Sequence, residues 1–164
     1  MINRQKEKIG QWNTKEVSPN YSDIIGVSFR LLPSSEKSFE SSNLINIISC
    51  FNNYVVFFEV DKELNSEIIE KEKINLDFNP IDFSFTQFNL FELFSVCDQK
   101  GNVKIWSNYL PANKFKCEFS INLNKQLGKL NWSPFHSILA VNALDKTTTI
   151  IERKNPNEWF ILNQ

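Results

Sequence analysis

The residues in this chain with the potential for chemistry are few and scattered. His136 is the single histidine, set in the run Pro134-Phe135-His136-Ser137. A histidine working as a general base needs a nucleophile and an orienting acid within hydrogen-bond reach. The flanking sequence offers a turn between two apolar runs instead, so His136 reads as an exposed turn residue. Cys50, Cys97 and Cys117 are odd in number and too far apart for zinc-ligand spacing. They fit a reduced cytosolic or nuclear setting and the role of small core residues. The four glycines, Gly10, Gly26, Gly101 and Gly128, belong to no phosphate-binding loop or dinucleotide fingerprint. Glu70 and Glu72 stand two apart and so share one face of an expected outer strand; paired-carboxylate catalysis would need them in a cleft, and an exposed strand face is the expectation. No catalytic, cofactor-binding or metal-binding residue is expected, and the chain reads as a non-enzyme.

What the sequence does carry is a phrase that recurs three times: Gly26-Val27-Ser28-Phe29, Asp82-Phe83-Ser84-Phe85 and Lys129-Leu130-Asn131-Trp132. Each copy places an apolar residue and an aromatic on either side of a small polar one, and each opens a unit of short β-branched and aromatic runs. In the first unit the runs predict strands at Ile24 to Leu31, Leu44 to Cys50, Tyr54 to Val60 and Glu67 to Ile74, with a polar loop from Leu32 to Ser42. The second predicts strands at Ile81 to Thr86, Phe91 to Cys97, Asn102 to Ser107 and Lys114 to Asn122. The third predicts Gly128 to Trp132, Ser137 to Asn142, Thr147 to Arg153 and Glu158 to Leu162. Asn52-Asn53, Asp98 to Asn102 and Asp145-Lys146 occupy equivalent places and read as hairpin turns. Helical periodicity is almost absent, so the chain reads as all-β. Four short antiparallel strands repeated about every 45 to 50 residues is the period of a β-propeller blade.

Composition sets the outer limits. Of 164 residues, 41% are apolar and 23% charged, the balance of a globular domain with a real core. Eighteen lysines and arginines face 19 acids, a formal charge of -1, so the basic excess of a nucleic-acid binder is missing. Arg4, Lys6 and Lys8 surround Glu7, and Glu70 to Lys73 alternates in sign; both read as solvated faces. The oily segment Ile81 to Cys97 is broken by Asp82, Gln87, Asn89 and Glu92 and falls short of a membrane span. The first residues lack the apolar core of a secretory signal.

Several words resemble the WD-repeat family. Gly101-Asn102-Val103-Lys104-Ile105-Trp106 resembles the end of a third strand, whose tryptophan packs between blades. Leu130 to Pro134, Ile138 to Val141 and then Asp145 resemble the first two strands and the turn aspartate of the next blade. Lys100 stands where the preceding turn aspartate is expected, with Asp98 two places earlier, and the family's glycine-histidine pair is absent. The order of Trp106, Phe115, Trp132-Ser133 and Asn157-Glu158-Trp159, with Gly10-Gln11-Trp12 near the start, is more narrowly similar to the C-terminal half of the small propeller subunits of the COPII outer coat that are shared with the nuclear-pore Y-complex.

The resemblance implies an all-β, incomplete propeller: an outer strand and linker over 1-23, then blades over 24-79, 80-124 and 125-164. It implies structural landmarks at Trp12, Asp98, Gly101, Trp106, Pro134 and Asp145. It also implies a cytoplasmic scaffold, peripheral at endoplasmic reticulum exit sites or the nuclear pore, touching the membrane only through the coat and nucleic acid not directly. Three blades plus one strand do not close a ring, for which about four to eight are typical. The expected partner is a larger coat or pore subunit donating a blade, or a separate chain supplying the missing blades, as for a divided or shortened gene product. Trp132, Leu139, Val141, Ile150 and Trp159 on the last blade are the expected partner contacts. Phe83, Phe85, Phe88, Phe91 and Phe94 have two readings, blade core or binding surface, and their alternation favours core. The alternative function is an adaptor of the same family in a ubiquitin-ligase, chromatin or RNA-processing complex.

Overall fold

A computed structural model describes residues 23–30, 44–61, 68–88, 91–110, 114–156 and 158–163. Trp12, the loop from Leu32 to Ser42 and Asn157 lie outside them. Twelve strands and no helix make up the regular structure of the described residues. The first sheet is β1 (Ile24–Arg30), β2 (Leu44–Phe51), β3 (Tyr54–Asp61) and β4 (Ile68–Asn75). The second is β5 (Asp82–Phe88), β6 (Phe91–Cys97), β7 (Asn102–Tyr109) and β8 (Lys116–Asn122). The third is β9 (Leu127–Trp132), β10 (Ile138–Ala143), β11 (Thr148–Asn155) and β12 (Glu158–Asn163). Every sheet is an antiparallel meander in sequence order. All twelve predicted strands are present, because each run is short, rich in β-branched and aromatic residues, and bounded by turn formers.

The second hairpin shows how local chemistry fixes a register. Asp98 accepts hydrogen bonds from the backbone N–H of Lys100 and of Asn102, both at 2.9 Å, and from Asn102 Nδ2 at 2.6 Å. One carboxylate therefore closes the turn, two places before the position where an aspartate was expected. Gly101 follows with φ of 95°, and a Cβ there would lie 2.9 Å from the carbonyl oxygen of Lys125. Both the dihedral and the crowding demand glycine. In the third sheet Asp145 does the same work, accepting from Thr147 N at 2.9 Å and Thr147 Oγ1 at 2.6 Å.

The sheets stack face to face. Ile48, Cys50, Val55 and Phe57 of the first sheet pack with Phe94, Val96, Trp106 and Phe115 of the second. Leu93, Cys97, Val103 and Ile105 of the second pack with Leu130, Trp132, Leu139, Val141 and Ile151 of the third. Alternation thus supplies each central strand with one row for the preceding sheet and one for the following. Trp106 is 7% exposed and lies over Phe94 at 4.9 Å with the ring planes 8° apart, an interblade packing position. Phe83 and Phe85 pack against the same cluster and Phe94 is fully buried, whereas Phe88 and Phe91 lie at the rim.

Two expectations fail. Cys50 and Cys97 are buried, but Cys117 is exposed on β8, because an outer strand has only one packed side. Glu70 and Glu72 do not share a face. A bulge pairs Glu72 with Phe57 and Glu70 with Phe58, two residues on opposite faces of β3, so the extra residue flips the phase.

Candidate interaction faces

Each innermost strand carries small polar groups on the side that meets the next sheet. Asp82 Oδ2 accepts the Leu130 N–H at 2.6 Å, and Asp82 Oδ1 accepts from Lys129 Nζ at 3.1 Å. One turn of the pleat further on, Ser84 Oγ accepts the Trp132 N–H at 3.2 Å. Thr86 Oγ1 donates to the Ser133 carbonyl at 3.4 Å. These residues occupy the inner edge of β9, which no strand pairs, so side chains of β5 satisfy backbone groups that would otherwise need water.

Ion pairs fasten the seams. Between the first and second sheets, Arg30 donates from Nε and Nη2 to the two oxygens of Glu92 at 2.5 and 2.8 Å, and Asn108 Nδ2 donates to the same carboxylate at 2.7 Å. Glu92 is fully buried and the Arg30 side chain is 10% exposed, with its guanidinium 5.6 Å from the Phe57 ring centroid. Between the second and third sheets Arg153 pairs with Glu118 at 2.9 Å and lies 4.8 Å over Phe91.

Two faces carry exposed residues on the side turned away from the second sheet. On the first sheet, Val27 and Phe29 turn away from the second sheet and are 54% and 68% exposed. Their counterparts Leu130 and Trp132, on the same face of β9, are 3% and 9% exposed because the second sheet covers them. On the third sheet, the face turned away from the second carries Asn131, Ala140, Ile150 and Phe160, aligned across the strands by the pairs Ala140↔Asn131, Ala140↔Ile150 and Glu152↔Phe160. Asn131 and Phe160 are exposed and Ala140 and Ile150 half-exposed.

The five expected partner contacts divide accordingly. Trp132, Leu139 and Val141 are buried against the second sheet and cannot meet another chain at the open face. Trp159 is half-buried on that same inner side, 5.4 Å from Phe119 and 6.2 Å from Trp132. Ile150 alone lies on the open side. The residues that sequence reasoning missed, Asn131, Ala140 and Phe160, were available from the same alternation taken one residue out of phase; the phase itself is set by Trp132, whose bulk needs a covered site. Pro134 is an exposed loop residue between β9 and β10.

Chemistry-bearing groups elsewhere stay apart. His136 lines a cleft of about 310 Å³ between the second and third sheets, together with Phe88, Phe91 and Arg153. It is exposed, and among the described residues no nucleophile–histidine–carboxylate chain forms around it. The same residues hold no group of three potential metal ligands. Burial, more than the nearby Asp82 carboxylate, pushes the Cys50 and Cys97 thiols up to about 12, so neither is a nucleophile at neutral pH.

Three antiparallel four-stranded sheets stacked in sequence order and joined at their innermost strands define the architecture of the described residues. No protein-family model matches the chain, and no curated protein matches its sequence. Solved structures do. A chain in the complex of the fission yeast SREBP–SCAP binding domains aligns over 92% of this chain with a TM-score of 0.63 and 17% identity. The WD40 domain of fission yeast SCAP aligns over 84% with a TM-score of 0.61 and 15% identity. The fold is that of WD-repeat propeller blades. The chain spans 39% and 34% of the length of those two chains, and the sheets described above form an open propeller segment.

Proposed function

We propose that this chain is a non-catalytic interaction scaffold whose open blade faces are completed by another chain. The observation that carries the reading is the contrast along one repeated motif: Leu130 and Trp132 are covered, while Val27 and Phe29 at the same positions of the first blade are in water. Exposed apolar side chains held together on a rigid sheet mark a candidate interaction site. Backbone groups on the unpaired inner edges would give affinity, and the alternating side chains beside them would give choice of partner.

The finer reading is a subunit of a membrane-coating assembly of the COPII or nuclear-pore type, in which a larger subunit inserts a blade beside the third sheet. It is supported by the tryptophan landmarks of the sequence and by the open forward face at Asn131 and Ile150. Such a subunit would sit in the cytoplasm at endoplasmic reticulum exit sites or the nuclear pore, with membrane contact only through the coat. The test is capture of the purified chain by the larger coat or pore subunit, repeated with Ile150→Asp. Retention that the substitution abolishes is expected; no retention of a folded chain refutes the coat reading.

A second reading, an adaptor of another complex such as a ubiquitin ligase or a chromatin or RNA-processing assembly, draws on the structural likeness to a chain of the fission yeast SREBP–SCAP binding-domain complex. A quantitative proximity-labelling screen in cells separates the two, because coat and pore subunits dominate only under the first.

A further inference from the structure

The seam between the first and second sheets and the seam between the second and third differ at one place. Phe94 pairs with Phe85 and Trp106, and Leu139 pairs with Trp132 and Ile151, so these positions correspond in the second and third sheets. Two residues before Phe94 is Glu92, and two before Leu139 is Ser137. Two residues after Trp106 is Asn108, and two after Ile151 is Arg153. On the innermost strands Thr86 follows Phe85 as Arg30 follows Phe29. The Arg30–Glu92–Asn108 network of the first seam is therefore replaced in the second by Thr86, Ser137 and Arg153.

The replacement removes atoms and leaves a donor. In the first seam the Glu92 carboxylate takes three hydrogen bonds, two from Arg30 and one from Asn108. In the second, Thr86 and Ser137 are short, and the cleft of about 310 Å³ has Ser137 and Arg153 on one wall and Phe88 and Phe91 on the other. The Arg153 side chain is 6% exposed, with its guanidinium 4.8 Å from the Phe91 ring centroid and 5.7 Å from that of Trp159. Arg30 is bracketed in the same way by Phe57 and Phe115, at 5.6 and 5.9 Å. Glu118 engages Arg153 through Nη2, whereas Nε is buried with no acceptor among the described residues. Glu152 also lines the cleft, but it pairs in register with Phe160 and so turns its carboxylate to the other side of β11. The cleft thus has aromatic walls and a cationic donor at the place where the first seam keeps a carboxylate.

We infer that this cleft receives a carboxylate side chain from an extended segment of a partner protein, seated beside Ser137 as Glu92 is seated in the first seam. The inference rests on the scaffold reading in that the ligand is a protein; it names the chemistry of a contact away from the blade faces. The Arg153 guanidinium and the Ser137 hydroxyl donate to the incoming carboxylate, and Phe88 and Phe91 cover its stem and an adjacent apolar residue. Charge-assisted hydrogen bonds of this kind are about twice as strong as neutral ones. Glu118 does not close the site to a second acid, because in the first seam Arg30 interacts with Glu72 of β4 while it binds Glu92.

The probe is the terminally blocked tripeptide Phe-Glu-Phe, with Phe-Gln-Phe as its neutral counterpart, titrated into the purified chain and followed by amide NMR. A dissociation constant of about 1 mM is expected for the glutamate peptide, ordinary for so small a ligand. The glutamine peptide is expected to bind at least about tenfold more weakly. Shifts should centre on Ser137 and Arg153. Equal binding of the two peptides, shifts confined to another part of the chain, or no binding of the glutamate peptide overturns the inference. Arg153→Met should abolish the preference for glutamate, with circular dichroism monitoring its fold. Ser137→Glu serves if that variant unfolds, since it supplies the carboxylate from the chain itself. It should exclude the peptide and melt about 2–4 °C above Ser137→Gln; a Ser137→Glu chain that melts below Ser137→Gln overturns the inference. A chain captured by a larger subunit yet indifferent to the glutamate peptide overturns the carboxylate site and leaves the scaffold reading standing. Binding of the glutamate peptide by a chain that no larger subunit captures sustains the site and counts against the coat reading alone.

Discussion

Glu92 offers the sharpest test of how the blades are held together. Its carboxylate is fully buried between the first and second sheets and takes three hydrogen bonds, two from Arg30 and one from Asn108. Glu92→Ala removes the acceptor of two hydrogen bonds from Arg30, whose side chain is 10% exposed, and of the one from Asn108 Nδ2. Breaking a buried pair from one side costs about 3–5 kcal/mol. In a domain of this size each kcal/mol moves the melting temperature by about 2–4 °C, so a fall of about 6–20 °C is expected. Arg30→Met costs a similar amount for the mirror reason. The double variant Arg30→Met/Glu92→Leu removes both charges of the pair and leaves the Asn108 amide without this acceptor, at about 1–3 kcal/mol. It should therefore be more stable than either single variant, with a coupling of at least about 3 kcal/mol in a urea-denaturation cycle. Tryptophan fluorescence follows the transition locally, because Trp106 lies in the same seam. A single-variant loss below about 1 kcal/mol, or additive losses in the double variant, would refute the view that this pair closes the joint.

Three further outcomes follow from other parts of the fold. Asp82→Ala removes the acceptor of the Leu130 N–H and is expected to cost about 1–3 kcal/mol, seen as a lower urea midpoint; Asp82→Asn, which keeps an acceptor oxygen, should recover part of it. Gly101→Ala forces a side chain into φ of 95° and against the Lys125 carbonyl, and a loss of more than about 1 kcal/mol is expected in the same assay. A thiol reagent at pH 8 followed by mass spectrometry should modify Cys117 alone in the folded chain, with Cys50 and Cys97 reacting only in denaturant. The two buried thiols also set a pH dependence. Their folded pKa of about 12 lies above the ordinary value of 9.0, so the native chain holds protons that the unfolded chain releases, and stability falls as pH rises from 9 toward 12. Replacing both by alanine should flatten that slope.

The strand pattern was legible because it depends on short-range chemistry. Short runs rich in β-branched and aromatic residues, each bounded by turn formers, were enough to find all twelve strands, with ends displaced by no more than two residues. Two kinds of information were not local. The bulge opposite Phe57 and Phe58 adds one residue to β4 without any glycine or proline to announce it, so Glu70 and Glu72 were assigned to one face and lie on two. The exposure of Cys117 depends on β8 being an outer strand with nothing beyond it, which follows from sheet order and not from the residues around the cysteine. The ion pairs were hidden for a related reason: Arg30 and Glu92 are 62 residues apart, and only the stacking of β1 beside β5 and β6 brings them together.

Phase decides what the last blade can offer. Trp132, Leu139 and Val141 attract attention as large apolar residues at the end of a repeat, but size is what commits them to the covered side, since a tryptophan in water forfeits the burial that a core position supplies. The open side is built from residues one step along each strand: asparagine, alanine, isoleucine, and the edge aromatic Phe160. That mixture is more polar than the corresponding faces of the first two blades, where Phe57 and Ile105 are 3% and 0% exposed. On the interaction reading, such a face combines apolar area at Ala140 and Ile150 to hold a blade with a hydrogen-bonding group at Asn131 to set its register. Asn131→Leu separates the two demands. It should raise nonspecific aggregation, measured by light scattering, while lowering the fraction that forms a defined complex. A substitution that strengthened defined association would show instead that burial alone governs the joint.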